Sequence, residues 1–175
     1  MQRSAFDYVR CANTDKAGEC YPIALLLKPG EPSVLRAGIA AGALAGLLSG
    51  IPSTVHAVLT GRDPLAAARA AGNLLLPAGT ASPAILVAGG LAHVAVSLGW
   101  GTVLAVAIRR TSLSPLAVGV TGGAAIAVID LGLLAHGPLG RRWPLIRALP
   151  VAPQVADHLA FGAIAGAVLR ARRRG

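Results

Sequence analysis

Leu91–Arg110 reads LAHVAVSLGWGTVLAVAIRR, an apolar run of helix length with one histidine inside it and two arginines closing it. Near the C-terminus, Asp157–Arg174 reads DHLAFGAIAGAVLRARRR. With His93 set on His158, Ala95 falls on Ala160, Gly101 on Gly166, Val103 on Val168 and Leu104 on Leu169. Both copies end in arginines. They read as two membrane-crossing helices of an internal duplication.

The composition agrees. Of 175 residues, 54% are hydrophobic and 13% charged, where a soluble domain carries about a quarter charged residues. Four runs approach or exceed the roughly 20 residues that cross a bilayer core: Ala37–Leu59, Ala84–Ile108, Pro115–Ala135 and Val151–Leu169. The expected fold is all-α, a polytopic membrane protein of four transmembrane helices arranged as two tandem two-helix repeats with short interfacial helices. Ala and Gly dominate the runs, which favours close helix packing. The net charge of +9 does not point to nucleic acid. The arginines close apolar runs, as membrane topology requires, and few aromatics are present for bases to stack on.

Residues 1–35 read as a poorly ordered cytoplasmic tail, and 36–175 as the transmembrane domain. SVLRAGIAAG from Ser33 would itself make a natural start for the chain. Cys11 and Cys20 match no zinc or redox spacing and read as reduced thiols. In the first long helix Gly38, Gly42, Gly46 and Gly50 recur every four residues and share one face. Pro52 is placed to kink that helix or end its regular part. Gly61–Pro77 is too polar to cross and reads as an interfacial segment, with Asp63 as N-cap before Pro64. Gly140–Pro150 is a second such segment, anchored by Trp143.

A shift of 80 positions sets Gly42 on Gly122, His56 on His136, Arg62 on Arg142 and Pro64 on Pro144. The repeats then span 36–110 and 114–174, related by a pseudo-twofold axis along the membrane normal. Arg3, Arg10, Lys16, Lys28, Arg36, Arg109, Arg110 and Arg170–Arg174 share one side, against Arg62, Arg69, Arg141, Arg142 and Arg147 on the other. Basic residues stay inside. The expected location is therefore the cytoplasmic membrane, multi-pass, with both termini cytoplasmic.

At about 1.5 Å per residue, His93 and Asp130 each lie some 24 Å from the arginine-bearing end. His158 is 12 residues before Arg170, and its alignment with His93 puts it, with Asp157 beside it, at a similar level. Gly89, His93, Ser97 and Gly101 share a helix face, as do Gln154, His158, Gly162 and Gly166. His93, His158, Asp130, Asp157 and Ser97 thus form an expected polar layer, with Gly101, Gly162 and Gly166 as packing positions beside it.

Three uses of that layer stay open. It ties the helices together, it lines a proton or solute path, or His93 and His158 hold a haem or a transition metal between facing helices. No enzyme motif stands out: Ser53, Ser82 and Ser97 lack a nucleophile setting, and there is no phosphate loop. The leading expectation is a small scaffold or channel-like protein, with a haem- or metal-binding redox subunit as the alternative. Its partners are the bilayer and, given the surplus of glycine, further copies of itself or a membrane complex; nucleic acid is not among them.

Over Leu91–Arg174 the chain also resembles the uncharacterised inner-membrane proteins of the YagU type. HVAVSLGWGTVLAV, a turn, a helix, a connector with Pro and Trp, and DHLAFGAIAG-x-VLR occur in that order. This chain is poorer in aromatics, and its first 35 residues lie outside the likeness. The resemblance implies a four-helix inner-membrane protein of a family with no settled molecular activity.

Overall fold

The computed structural model describes residues 33–173. The expected tail with Cys11 and Cys20, and Arg174 near the other end, lie outside the described residues. Helices follow in the order α1 (Val34–Ser49), α2 (Ile51–Leu59), α3 (Ala66–Gly72), α4 (Ser82–Arg109) and α5 (Pro115–Ala127). A π-helical segment (Val128–Ala135), a 3₁₀ turn (Pro138–Arg142), α6 (Pro144–Arg147) and α7 (Val151–Arg172) complete the chain. Among the described residues, four helical stretches are long and apolar enough to cross a membrane: Val34–Leu59, Ser82–Arg109, Pro115–Ala135 and Val151–Arg172. The protein is an all-α, polytopic membrane protein.

Local chemistry sets the ends of these stretches. Ser114 accepts the Ala117 N–H on its hydroxyl at 3.2 Å, and Pro115 follows at the first helical position, where a missing N–H costs nothing. In the first stretch Pro52 removes a donor and crowds the preceding turn. The helix breaks at Gly50, giving α1 and α2 in place of one rod.

The bundle buries alanines beside a few large side chains such as Leu104, Ile108 and Phe161, and leaves many other large side chains outside. Ala41, Ala45, Ala105 and Ala165 are buried, whereas Leu47, Leu59 and Val128 are exposed. In water that arrangement would strand apolar surface; in lipid it lets backbones approach without a hydrophobic drive. α1 packs on α4, α5 packs on α7, and α1 also packs on α7, joining the two pairs.

Glycine seams set the α1–α4 and α5–α7 contacts. A Cβ at Gly101 would lie 2.5 Å from the carbonyl oxygen of Gly38 and from Cα of Gly42. One at Gly166 would lie 2.5 Å from the carbonyl oxygen of Pro115. One at Gly162 would fall against the carbonyl of Gly119. At the arginine end, the Arg173 guanidinium donates to the Ile108 carbonyl at 2.6 Å and caps α4.

One expected packing position, Gly50, and one repeat match, Gly122, differ. A Cβ at Gly50 would meet nothing within 4 Å. Gly50 belongs to the helix break and not to the seam, because the backbone leaves the α1 axis there. Gly122, set on Gly42 by the repeat alignment, faces the Leu104 side chain of α4, while Gly119 and Gly123 lie against α7. Helix faces recur every three to four residues, so an alignment of Ala and Gly slips by one turn at little loss.

At the opposite end α3 packs on α4 and on α6. Asn73, 6% exposed, ties the two connectors together. Its amide donates to the Leu76 carbonyl at 3.1 Å, and its carbonyl accepts the Leu145 N–H at 3.3 Å. Asp63 accepts the Leu65 N–H at 2.9 Å and pairs with Arg69, but α3 begins at Ala66 with Leu65 as its N-cap, so Asp63 and Pro64 belong to the turn before the helix and not to its cap.

Candidate functional site

Among the described residues, three interhelical contacts involve the histidines and aspartates of the spans. In the first, His158 on α7 reaches Asp130 in the π-helical segment, Nε2 to Oδ2 at 3.1 Å. The side chains are 19% and 26% exposed. The same ring places Nδ1 2.7 Å from the Gln154 carbonyl oxygen. A carbonyl only accepts, so Nδ1 carries hydrogen. A second hydrogen then sits between Nε2 and the carboxyl group, either on an imidazolium facing a carboxylate or on a carboxylic acid facing a neutral ring. The pair is electrically neutral both ways. That removes much of the roughly 2.5–3.5 kcal/mol that a lone Asp costs at the middle of a membrane helix.

The second contact follows from Pro52. The first N–H groups of a helix have no partner within it, and Thr54 N–H makes the first α2 bond, to Gly50 O at 3.1 Å. Ser53 N–H is left over and donates to Oδ1 of Asp157 on α7 at 2.9 Å. A carboxylate from one span therefore caps a broken helix in another, where the helix dipole favours negative charge.

The third contact joins α4 to α1. His93 Nε2 lies 2.8 Å from the Gly46 carbonyl oxygen, so Nε2 carries the hydrogen. Beside it Ser97 is 5% exposed and packs over Gly46, where a Cβ would lie 2.6 Å from its Oγ.

The expected layer is thus only partly brought together. His158 and Asp130 bond directly, and Asp157 lies within electrostatic reach of His158 and His93. His93 and His158 do not bond to each other. His93 is exposed, in contrast to the inward position expected for its face; Gly89, Ser97 and Gly101 of that face are buried. His93 lines a groove of about 600 Å³ between the first span and α4, with Gly46, Gly50, Thr54 and Ser97. The reason is steric. Ser97 and Gly101 fill the closest approach of α1, and one turn further along the helix break opens a gap.

Among the described residues no three His, Cys, Asp or Glu side chains converge as a metal-binding group. Both nitrogens of His158 face protein oxygens, and Nε2 of His93 faces another. A metal or haem bridging the two rings would have to displace these contacts. His136 is exposed and uses Nδ1 on the Leu131 carbonyl at 3.0 Å. His56 is half-buried near the end of α2.

Three partners escaped the sequence reading: Ser53, the Gly46 carbonyl and Gln154. The signal for Ser53 was present. Pro52 breaks a membrane helix, the break frees an N–H, and Asp157 is a carboxylate without a partner on its own helix. The other two are backbone acceptors, which side-chain types do not reveal. No protein-family model, no curated protein and no solved structure matches the chain.

Proposed function

We propose that this chain is a small membrane scaffold whose His/Asp layer locks its spans in register. The observation that carries this reading is the pairing itself. Asp130, Asp157 and His158 face protein partners on other elements or backbone, and His93 ties α4 to α1. Interhelical hydrogen bonds in membranes are worth about 0.6 kcal/mol each on average, up to about 1.7. That is sufficient to orient helices whose glycine seams already hold them.

The reading extends to a tandem-repeat architecture of the YagU type. Gly42 and Gly46 lie against Ser97, and Gly119 and Gly123 against Gly162 and His158. These contacts support a repeat in which the first helices are offset by 77 (119 − 42 and 123 − 46). The second helices are offset by 65 (158 − 93). We place the protein in the cytoplasmic membrane with both termini inside, since Arg36, Arg109, Arg110 and Arg170 lie at the helix ends on that side. A homo-oligomer, or a place in a membrane complex, is supported by Gly90, a glycine of α4 with no neighbour within 4 Å of a Cβ.

The test is ion and proton flux in liposomes carrying the purified protein, beside the His158→Ala variant. A scaffold gives flux no higher than empty liposomes for both. Flux in the parent that disappears in the variant would replace the scaffold with a channel that uses the same layer. Crosslinking in native membranes that yields only monomer would remove the oligomer.

A further inference from the structure

α2 differs from every long helix around it. It is nine residues long and has no buried residue. α1, of which it is the continuation, buries Gly38, Ala41, Gly42, Ala45, Gly46 and Ser49. The joint between them is Gly50, where an added Cβ would meet nothing within 4 Å, followed two residues later by Pro52. Glycine gives the backbone latitude. Proline breaks the ladder that would stiffen the joint.

His56, Ala57 and Val58 of α2 accept hydrogen bonds from the following turn at Thr60, Gly61 and Arg62, and one residue of α2 reaches another long helix. That residue is Ser53, whose N–H is held by Asp157. The hydroxyls of Ser53 and Thr54 both turn back to the Gly50 carbonyl, at 3.2 and 2.8 Å. The Asp157 bond is charge-assisted and aimed at a helix N-terminus, which makes it stronger than a neutral bond. It is the hydrogen bond that fastens α2 to α7, the helix α2 packs against.

α2 is also one wall of the groove that contains His93. Ile51, Thr54 and Val55 line it from α2, opposite His93, Val94 and Ser97 on α4. A movement of α2 about Gly50 therefore changes the width of the groove while the glycine seam of α1 stays in place.

We propose that α2 is a hinged flap that sets the width of the His93 groove and is latched to α7 by Asp157. This goes beyond the scaffold reading and does not depend on it. A half-helix of nine residues at 1.5 Å per residue reaches about 13 Å from its joint. A swing of about 20°, the size of an ordinary proline kink, carries its far end by roughly 5 Å.

The test is a spin-label distance measurement on the full chain in lipid nanodiscs. Cys11 and Cys20 are replaced by serine, and labels are placed through Val58→Cys on α2 and Val87→Cys on α4. Both parent positions are exposed. The latched protein gives one narrow distance. Asp157→Ala adds a second population displaced by roughly 5 Å. Adding Pro52→Ala, which restores the missing N–H and stiffens the joint, removes that population.

A second label pair, Val103→Cys with Val120→Cys, reports whether α4 and α5 stay in place. If this pair also broadens in Asp157→Ala, the comparison is made with Asp157→Asn, which keeps the shape and loses the charge. One unchanged distance in the variant with an intact control pair would overturn the flap, whatever the liposome flux shows.

Discussion

Replacing Gly101 by alanine tests the glycine seam that holds α1 to α4. The new Cβ would lie 2.5 Å from Cα of Gly42, from its nitrogen and from the Gly38 carbonyl oxygen. Carbon atoms rest at about 3.5–4.0 Å, so the helices must part by about 1 Å. All three obstacles are backbone and cannot rotate aside. Overpacking costs about 1–3 kcal/mol, and a main-chain obstacle places this case near 3. Alanine returns about 0.8–1.0 kcal/mol of helix propensity, leaving a net loss of about 2 kcal/mol. Gly99→Ala is the control, two residues along the same helix. A Cβ there meets nothing within 4 Å, so only the propensity gain remains. Stability is read from denaturant titration in mixed micelles. Gly101→Ala should unfold earlier than the parent and Gly99→Ala no earlier. Equal stability of the two variants would refute the seam.

Two further outcomes follow from single contacts. A double-mutant cycle of His158→Ala and Asp130→Ala, read in the same titration, should give a coupling of about 0.6–1.7 kcal/mol. A coupling near zero would mean that the two groups do not share a hydrogen. Asn73→Ala removes both bonds of a buried amide, should cost about 1–3 kcal/mol, and should speed hydrogen exchange at the Leu145 amide. Exchange at Leu145 equal to that of the parent would show that α3 and α6 are not joined through Asn73.

The membrane character and the four spans were legible in the sequence, because both depend on local properties. Length, hydropathy and the scarcity of charge decide whether a helix can cross a bilayer, and neither needs a neighbour. Seam glycines such as Gly42, Gly101 and Gly162 were legible for a related reason: four-residue spacing places them on one face before any partner is known. Asp130 was set level with His93 by counting residues from the arginine-bearing end, and His158 by its alignment with His93.

The tertiary structure decided the pairings. A residue count gives depth along an axis but no rotation about it, so it could not tell that His93 faces the Gly46 carbonyl and His158 faces Asp130. Nor could side-chain types reveal backbone partners. The Ser53 N–H becomes available only because Pro52 breaks the helix, and it finds Asp157 only because α7 packs beside α2. Gly50 carries the same spacing as the seam glycines, yet it became a joint, since the backbone leaves the α1 axis where its ladder fails. The sequence determined which segments enter the membrane; helix rotation and the broken ladder determined which polar groups meet there.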